Sequence, residues 1–399
     1  MAVLALCSVV AACGDDSKPS ASAASSSSTE KLAAKPTGTP IKLGMITRPV
    51  LLPLHPQGAE AAIARINADG GVNGHPLELV VCSNEDKGAT AGTCAQKYAA
   101  DPAVIATVGD INGFGADANP ALEQAKIAGI GTSPLTGGDF GSPRVFPNNS
   151  GGQLLLGGVA FAYDELKARK IGLAMVDTPT TGALPGLIDA NVLKSRGTKL
   201  SAAVPISTSA ADVSSQAAAL VKSDAVVVFT TADLAVRMIK SLRQQGYLGP
   251  IVISETSVNA PFLQSSLSAT EAENLYAMAY FDKTSAGYQR YRDDMKKYEP
   301  KTDLGDSSAL AWLAVNMFAD VASKLPSITR EAVYDAMGKL TDYDTGGMTA
   351  PLDFTKPGTV LGGKAPRLFE PVLEVYIDGY KDGEYHPYKD QQKPYPLFS

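Results

Sequence analysis

Side chains able to do chemistry gather in short polar runs, each directly behind an apolar one. Thr47-Arg48-Pro49 follows Ile41 to Ile46, Gly109-Asp110-Ile111-Asn112-Gly113-Phe114 follows Val104 to Val108, and Gly131 to Gly138, with Thr132, Ser133 and Thr136, follows the run that starts at Ile127. Further along come Asp177 to Gly182 with Thr181, then Thr230-Thr231-Ala232-Asp233 and Ser254-Glu255-Thr256. Hydroxyls, turn N–H groups and a guanidinium are suited to holding an anion such as a carboxylate. Signatures for bond-making chemistry fail in context. There is no Gly-x-Ser-x-Gly elbow. Gly358 through Lys364 has the spacing of a phosphate-binding loop, but Ala365 replaces the Mg²⁺-binding hydroxyl and Pro366 blocks the helix such a loop must start, so a surface loop is expected there. Gly129-Ile130-Gly131 runs into Thr132-Ser133-Pro134 and offers no dinucleotide fingerprint. Cys82 and Cys94, with His55, His75 and His386 scattered elsewhere, make no recognisable metal-ligand set. No cofactor is expected.

The elements that must position these runs are legible from periodicity. Ala59, Ala62, Ile63 and Ile66 recur at helical spacing, with Glu60, Arg65 and Asn67 on the opposite face. Gly70 and Gly71 supply the left-handed residues a helix end needs, Asn73-Gly74 a turn, and Leu77 to Val81 a buried strand. Strands are expected again at Ile171 to Val176, Leu200 to Val204, Ala225 to Phe229 and Ile251 to Ile253, with helices at Phe114 to Lys126, Gln153 to Ala168 and through Ser285 to Met337. Strict alternation of strand and helix means mostly parallel sheets. At 399 residues the chain suits two domains plus a tail. Its 45% hydrophobic and 19% charged residues are those of a soluble globular protein. A net charge of −6 without a Lys/Arg cluster argues against nucleic acid or an anionic membrane surface, leaving small molecules or proteins as partners.

The stretch "IKLGMI…GAEAAIARINADGGVNGHPLELVV" resembles the opening of the type I periplasmic binding proteins of the leucine/isoleucine/valine-binding family. The resemblance implies an α/β fold of two doubly wound parallel-sheet lobes, 41–148 plus 283–347 and 149–282 plus 348–399, joined by a three-segment hinge. Ligands of open α/β sheets sit beyond the carboxyl ends of the strands, which is where the polar runs fall. Glu255 stands where amino-acid-binding members keep an acid for the ligand's α-ammonium. Other features depart from that pattern. Asn112-Gly113 replace adjacent Ser or Thr, Asp110 adds an acid that repels a carboxylate, and Thr181 and Thr231 replace aromatic walls. Arg48 either clamps a ligand carboxylate or pairs with Asp110 or another cleft acid. Leu54, His55 and Phe114 are candidates for apolar lining.

Met1 to Ala12 is apolar and too short to span a bilayer, and Val10-Ala11-Ala12-Cys13 looks like a bacterial lipobox, although the basic segment that should precede it is missing. That resemblance implies cleavage before Cys13, a lipid on its thiol, and an extracytoplasmic domain on the Ser/Ala-rich tether 13–40. Cys82 and Cys94 would then be the only thiols of the exported domain and invite a structural disulfide. The family implies the solute-binding subunit of an ABC importer, taking a small amino acid or related carboxylate and handing it to a membrane permease. A sensor module of the same fold is the rival expectation, and an enzyme on this scaffold a third.

Overall fold

The computed structural model describes residues 35–390 apart from 50, 179, 361–362 and 366–374; Cys13, the signal-like segment and nearly all of the tether lie outside the described residues. The first sheet is built from β1 (Ile41–Thr47), β2 (Leu77–Ser83), β3 (Val104–Val108), β4 (Ala128–Ile130) and β5 (Val145–Phe146), in the order β2-β1-β3-β4-β5, every pair parallel. The second contains β6 (Ile171–Val176), β7 (Ala202–Ile206), β8 (Ala225–Phe229), β9 (Ile251–Ser254) and β10 (Leu275–Ala279), in the parallel order β10-β9-β8-β6-β7. The two lobes therefore repeat one plan, with the strand order reversing between β1 and β3 in one and between β6 and β8 in the other. Pro205 sits in β7, at the sheet's edge, where a missing N–H costs no ladder bond.

Later parts of the chain return to the lobes already made. A hairpin of β11 (Gly358–Val360) and β12 (Gly363–Ala365) replaces the loop expected at the Gly-x-x-x-x-Gly-Lys run. β13 (Tyr376–Lys381) and β14 (Glu384–Pro387) then add an antiparallel pair to β10. Of the run Pro371 to Ile377, the first four residues lie outside the described set and β13 begins at Tyr376. The helices Asp306–Ala322 and Arg330–Met337 pack on the first sheet. β5, β14 and the β11–β12 hairpin were not expected, because two to four residues carry no periodicity to read.

The opening helix spans His55–Ala68 and buries Ala59, Ala62, Ile63 and Ile66 as expected. It is buried on a second side as well, by the helix Asp306–Ala322. The reason is Gly58: a Cβ there would lie 1.8 Å from the backbone oxygen of Ser308, so the two backbones approach as only glycine allows. Arg65 leaves the solvent face to reach Asp294 at 3.0 Å, and Trp312 Nε1 donates to the same carboxylate at 2.7 Å. Beyond the helix, Gly70, Gly71, Asn73 and Gly74 all have positive φ, as their turn requires.

Cys82 on β2 and Cys94 on the helix Gly88–Ala100 form a disulfide, with Cα atoms 5.9 Å apart. The loop it closes, 12 residues in sequence separation, is worth about 3 kcal/mol in the chain-entropy picture. Cys94→Ala, compared with wild type by urea unfolding under oxidising conditions, is expected to lose that amount; an unchanged midpoint would show that the bridge constrains nothing. Among the described residues no helix is long and apolar enough to cross a membrane.

Candidate functional site

In sheets of this order, the crevice for a ligand opens where the strand order reverses, outside the carboxyl ends of the flanking strands. The first lobe's reversal point lies between the loops after β1 and β3, which carry Arg48 and Gly113. The second lobe's lies between the loops after β6 and β8, which carry Thr180, Thr181 and Thr231. These two points face each other. A side chain on Gly113, whose φ is +71°, would begin 2.9 Å from Arg48 Nη1 and 3.7 Å from Thr180 Cγ2. The positive φ favours glycine there, and a side chain would displace the Arg48 guanidinium.

Arg48 is buried and its Nε and Nη2 reach Asp86 Oδ1 at 2.6 and 2.5 Å. Of the alternatives open for Arg48, the acid it meets is therefore Asp86 and not Asp110. Asp86 is held in place by an unusual turn: Glu85 and Asp86 both have positive φ, at 50° and 58°, a conformation that costs a non-glycine residue roughly 1–2 kcal/mol. Buried Asn84 holds the turn by accepting from Asp86 N at 2.9 Å and donating to Asn112 O at 2.7 Å. Arg48 also lies over the Phe114 ring, 6.0 Å from its centroid. Its Nη1 stays aimed at the gap.

Several sequence candidates hold the loops instead of facing the gap. Asp110 is wholly buried, accepting from Ile46 N at 2.8 Å and Thr107 Oγ1 at 2.5 Å, with Arg144 Nη2 at 3.6 Å. It is a staple joining β1 to β3 at the reversal point, and not an acid confronting a ligand. Asn112 Oδ1 accepts from Phe114 N at 2.6 Å. Thr136 Oγ1 donates to Asp139 at 2.9 Å, and Asp139 also takes the N–H groups of Leu135 and Thr136, so this turn already holds a carboxylate of its own. Thr181 Oγ1 donates to Val176 O at 2.5 Å and closes its turn. Thr231 caps the helix Ala232–Gln244 by backbone shape alone, its hydroxyl making no cap bond. Thr132 Oγ1 is buried without a partner. His55 is buried with Nδ1 3.1 Å from Thr47 Oγ1, and burial pushes its pKa down to about 4.

Ser133 sits at the hinge. Its hydroxyl donates to Asn149 Oδ1 at 2.9 Å and lies 3.4 Å from the hydroxyl of Tyr280, which donates to Gly151 O at 3.1 Å. Tyr280 N in turn donates to Asp306, the first residue of the helix Asp306–Ala322. From there the network reaches Glu255, which is in ion contact with Lys283 Nζ, as is Asp378. Within this ion contact Glu255 Oε2 makes no well-directed hydrogen bond. The ammonium expected on Glu255 is thus the protein's own. Tyr280, Lys283, Asp306 and Asp378 were missed in the sequence because none lies in a polar run after a first-pass strand; Tyr280, directly behind β10, was the one within reach.

Burial raises the carboxyl pKa of Asp306 to about 6 and that of Glu255 above its ordinary range, against the pull of Lys283. Lys283 is pulled down by burial but held above its ordinary value by Asp378, Glu255 and Asp306. In the unfolded chain Asp306 loses its proton near 3.8; between there and about 6 the folded state keeps a proton the unfolded state has lost, so stability falls as pH rises through that window. Asp306→Asn is expected to remove a fall of roughly 3 kcal/mol. Urea midpoints at about pH 4 and about pH 7 check it, and an equally steep fall in the variant would exclude Asp306 as its source.

An open groove of about 690 Å³ lies elsewhere, at the amino end of β10, lined by Tyr276, Tyr380 and His386 among others. Of the parallel strands it borders only β10, at the amino end, while the antiparallel β13 and β14 line it with Tyr380, Lys381, His386 and Pro387.

A family model described as periplasmic binding protein matches residues 53–364. No curated protein sequence matches the chain. Among solved structures, a possible leucine/isoleucine/valine-binding protein from Rhodopirellula baltica SH 1 is similar over 89% of this chain and 98% of its own, at 18% identity and a TM-score of 0.74. A fatty acid ABC transporter substrate-binding protein from Thermomonospora curvata is similar over 90% of this chain and 93% of its own, at 19% identity and a TM-score of 0.71. A branched-chain amino acid transporter substrate-binding protein from Streptococcus pneumoniae, in complex with isoleucine, is similar over 87% of this chain and 98% of its own, at 20% identity and a TM-score of 0.68. The family match spans most of the chain and the neighbours share its two-lobed architecture: the chain belongs to the periplasmic binding protein family, with the type I fold.

Proposed function

We propose that this chain is the extracytoplasmic solute-binding subunit of an ABC importer, holding a small carboxylate-bearing solute between its two lobes and presenting the closed form to a membrane permease. The observation that carries the reading is the meeting of two sheet-reversal points at Gly113 and Thr180, with Arg48 Nη1 aimed between them. Arg48 supplies charge. The first-turn N–H groups of the helix Ala232–Gln244, uncapped by the Thr231 side chain, supply donors from the other lobe. Thr132 and Thr181 border the site, and the lobes, divided at 41–148 plus 283–347 and 149–282 plus 348–399, close about the three chain crossings. No bond is made or broken in this reading. The family name and the printed names of the neighbours, which include binders of isoleucine and of fatty acids, support a solute-binding role in transport.

A thermal-shift screen over amino acids, short amides and aromatic or aliphatic carboxylates tests it. A solute present at a hundred times its Kd adds about 2.7 kcal/mol to stability. At least one carboxylate is expected to raise the melting temperature saturably; a flat response across all of these classes would defeat the reading.

A further inference from the structure

Buried charge is kept only where partners compensate it, and a buried cation with two carboxylates in contact stands at the hinge. Lys283 Nζ touches Glu255, from the loop after β9, and Asp378, from β13, while its side chain is only 7% exposed. Asp306 faces the same group from the start of the returning helix and acts on it through charge alone, its carboxylate accepting from Tyr280 N instead. Tyr385 covers the ammonium from β14, its ring centroid 5.3 Å away, and its own hydroxyl is used on Val258 O at 2.7 Å. Tyr288 and Tyr291, buried on the helix Ala286–Tyr298, come within electrostatic reach of Glu255 and Asp306, with Tyr291 bound to Ser308 and Gly305. Lys283 is therefore largely buried, and it supplies Glu255 with a counter-ion from within the chain.

We propose that Lys283 sets the class of solute: by giving Glu255 an ammonium from the protein itself, it leaves the cleft selective for carboxylates that carry no cationic amine. The inference rests on the solute-binding reading above and narrows it. A ligand ammonium brought to Glu255 would have to stand beside Lys283 in a buried site, where like charges repel with little screening. The groups that remain free to meet a solute point the other way in charge. Arg48 Nη1 and the N–H groups ahead of the helix Ala232–Gln244 are donors, and both attract an anion.

The test is calorimetric titration of the full-length protein with matched pairs that differ only in the amine: leucine against 4-methylpentanoate, and phenylalanine against 3-phenylpropanoate. The deaminated member of a pair is expected to bind at least tenfold tighter. Lys283→Met, which removes the ammonium and keeps the length, is expected to raise affinity for the amine-bearing member at least tenfold, since Glu255 then lacks a counter-ion. Should that variant fail to fold, Glu255→Gln decides: it is expected to keep the wild-type ranking. An amine-bearing member that binds tighter to wild type, and whose binding Glu255→Gln abolishes, would overturn the role of Lys283 while leaving solute binding intact. Heatless titrations with both members of every pair, confirmed by absent thermal shifts, would overturn the carboxylate reading and this one together.

Discussion

Arg144→Met is expected to cost about 3–5 kcal/mol, more than any other single change considered for stability, because it strips a buried carboxylate of its cation. Arg144 is completely enclosed: Nε donates to Ile127 O at 2.9 Å, Nη1 to Asn119 Oδ1 at 2.5 Å and Nη2 to Thr107 Oγ1 at 2.6 Å, with Asp110 beyond at 3.6 Å. Burial raises the carboxyl pKa of Asp110 and Arg144 opposes the rise. Methionine fills much of the volume, so a cavity contributes little and the loss is that of charge and hydrogen bonds. Urea unfolding of Arg144→Met, of Asp110→Asn and of the double variant forms a cycle. The double variant is expected to be more stable than the sum of the single losses implies, since neither charge is then left alone. A loss below about 1 kcal/mol in Arg144→Met, against the expectation for a buried pair, would show that water reaches Asp110.

The second large effect is on binding. Arg48→Ala is expected to weaken a carboxylate solute by roughly 30-fold or more, the equivalent of the 2 kcal/mol or above that follows truncation of a buried charged partner. Its cost in stability is expected to be small, because Asp86 is 26% exposed on its side chain and can be rehydrated. Titration calorimetry gives the affinity and urea unfolding the stability. Affinity preserved within about threefold would take Arg48 out of the site, with its role reduced to holding the strained turn at Glu85 and Asp86.

Much of this molecule was legible in its sequence, and the parts that were not share a cause. β3, β6 and β8 fall where their apolar runs do, because strands buried on both faces are nearly all apolar and end where the apolar run ends. Four of the polar runs, those behind β1, β3, β6 and β8, sit at the reversal points, and the other two follow β4 and β9. What the runs could not reveal was which hydroxyls are spent inside their own loops. Thr136 is taken by Asp139, three residues on, and Thr181 by Val176, five back; those bonds depend on turn geometry, not residue type. Asp110 reads as a cleft acid until Arg144 is seen beneath it, and Glu255 as a free acid until Lys283 arrives from the hinge. Both partners come from segments 28 or more residues away, beyond the reach of local patterning.

The most direct test of two lobes closing on a solute is amide hydrogen exchange, with and without a carboxylate that gives a thermal shift. Slowed exchange is expected together at 47–48 and 111–114 in one lobe and at 178–182 and 231–234 in the other. Protection confined to a single lobe, or located at the groove lined by Tyr276 and Tyr380, would contradict it.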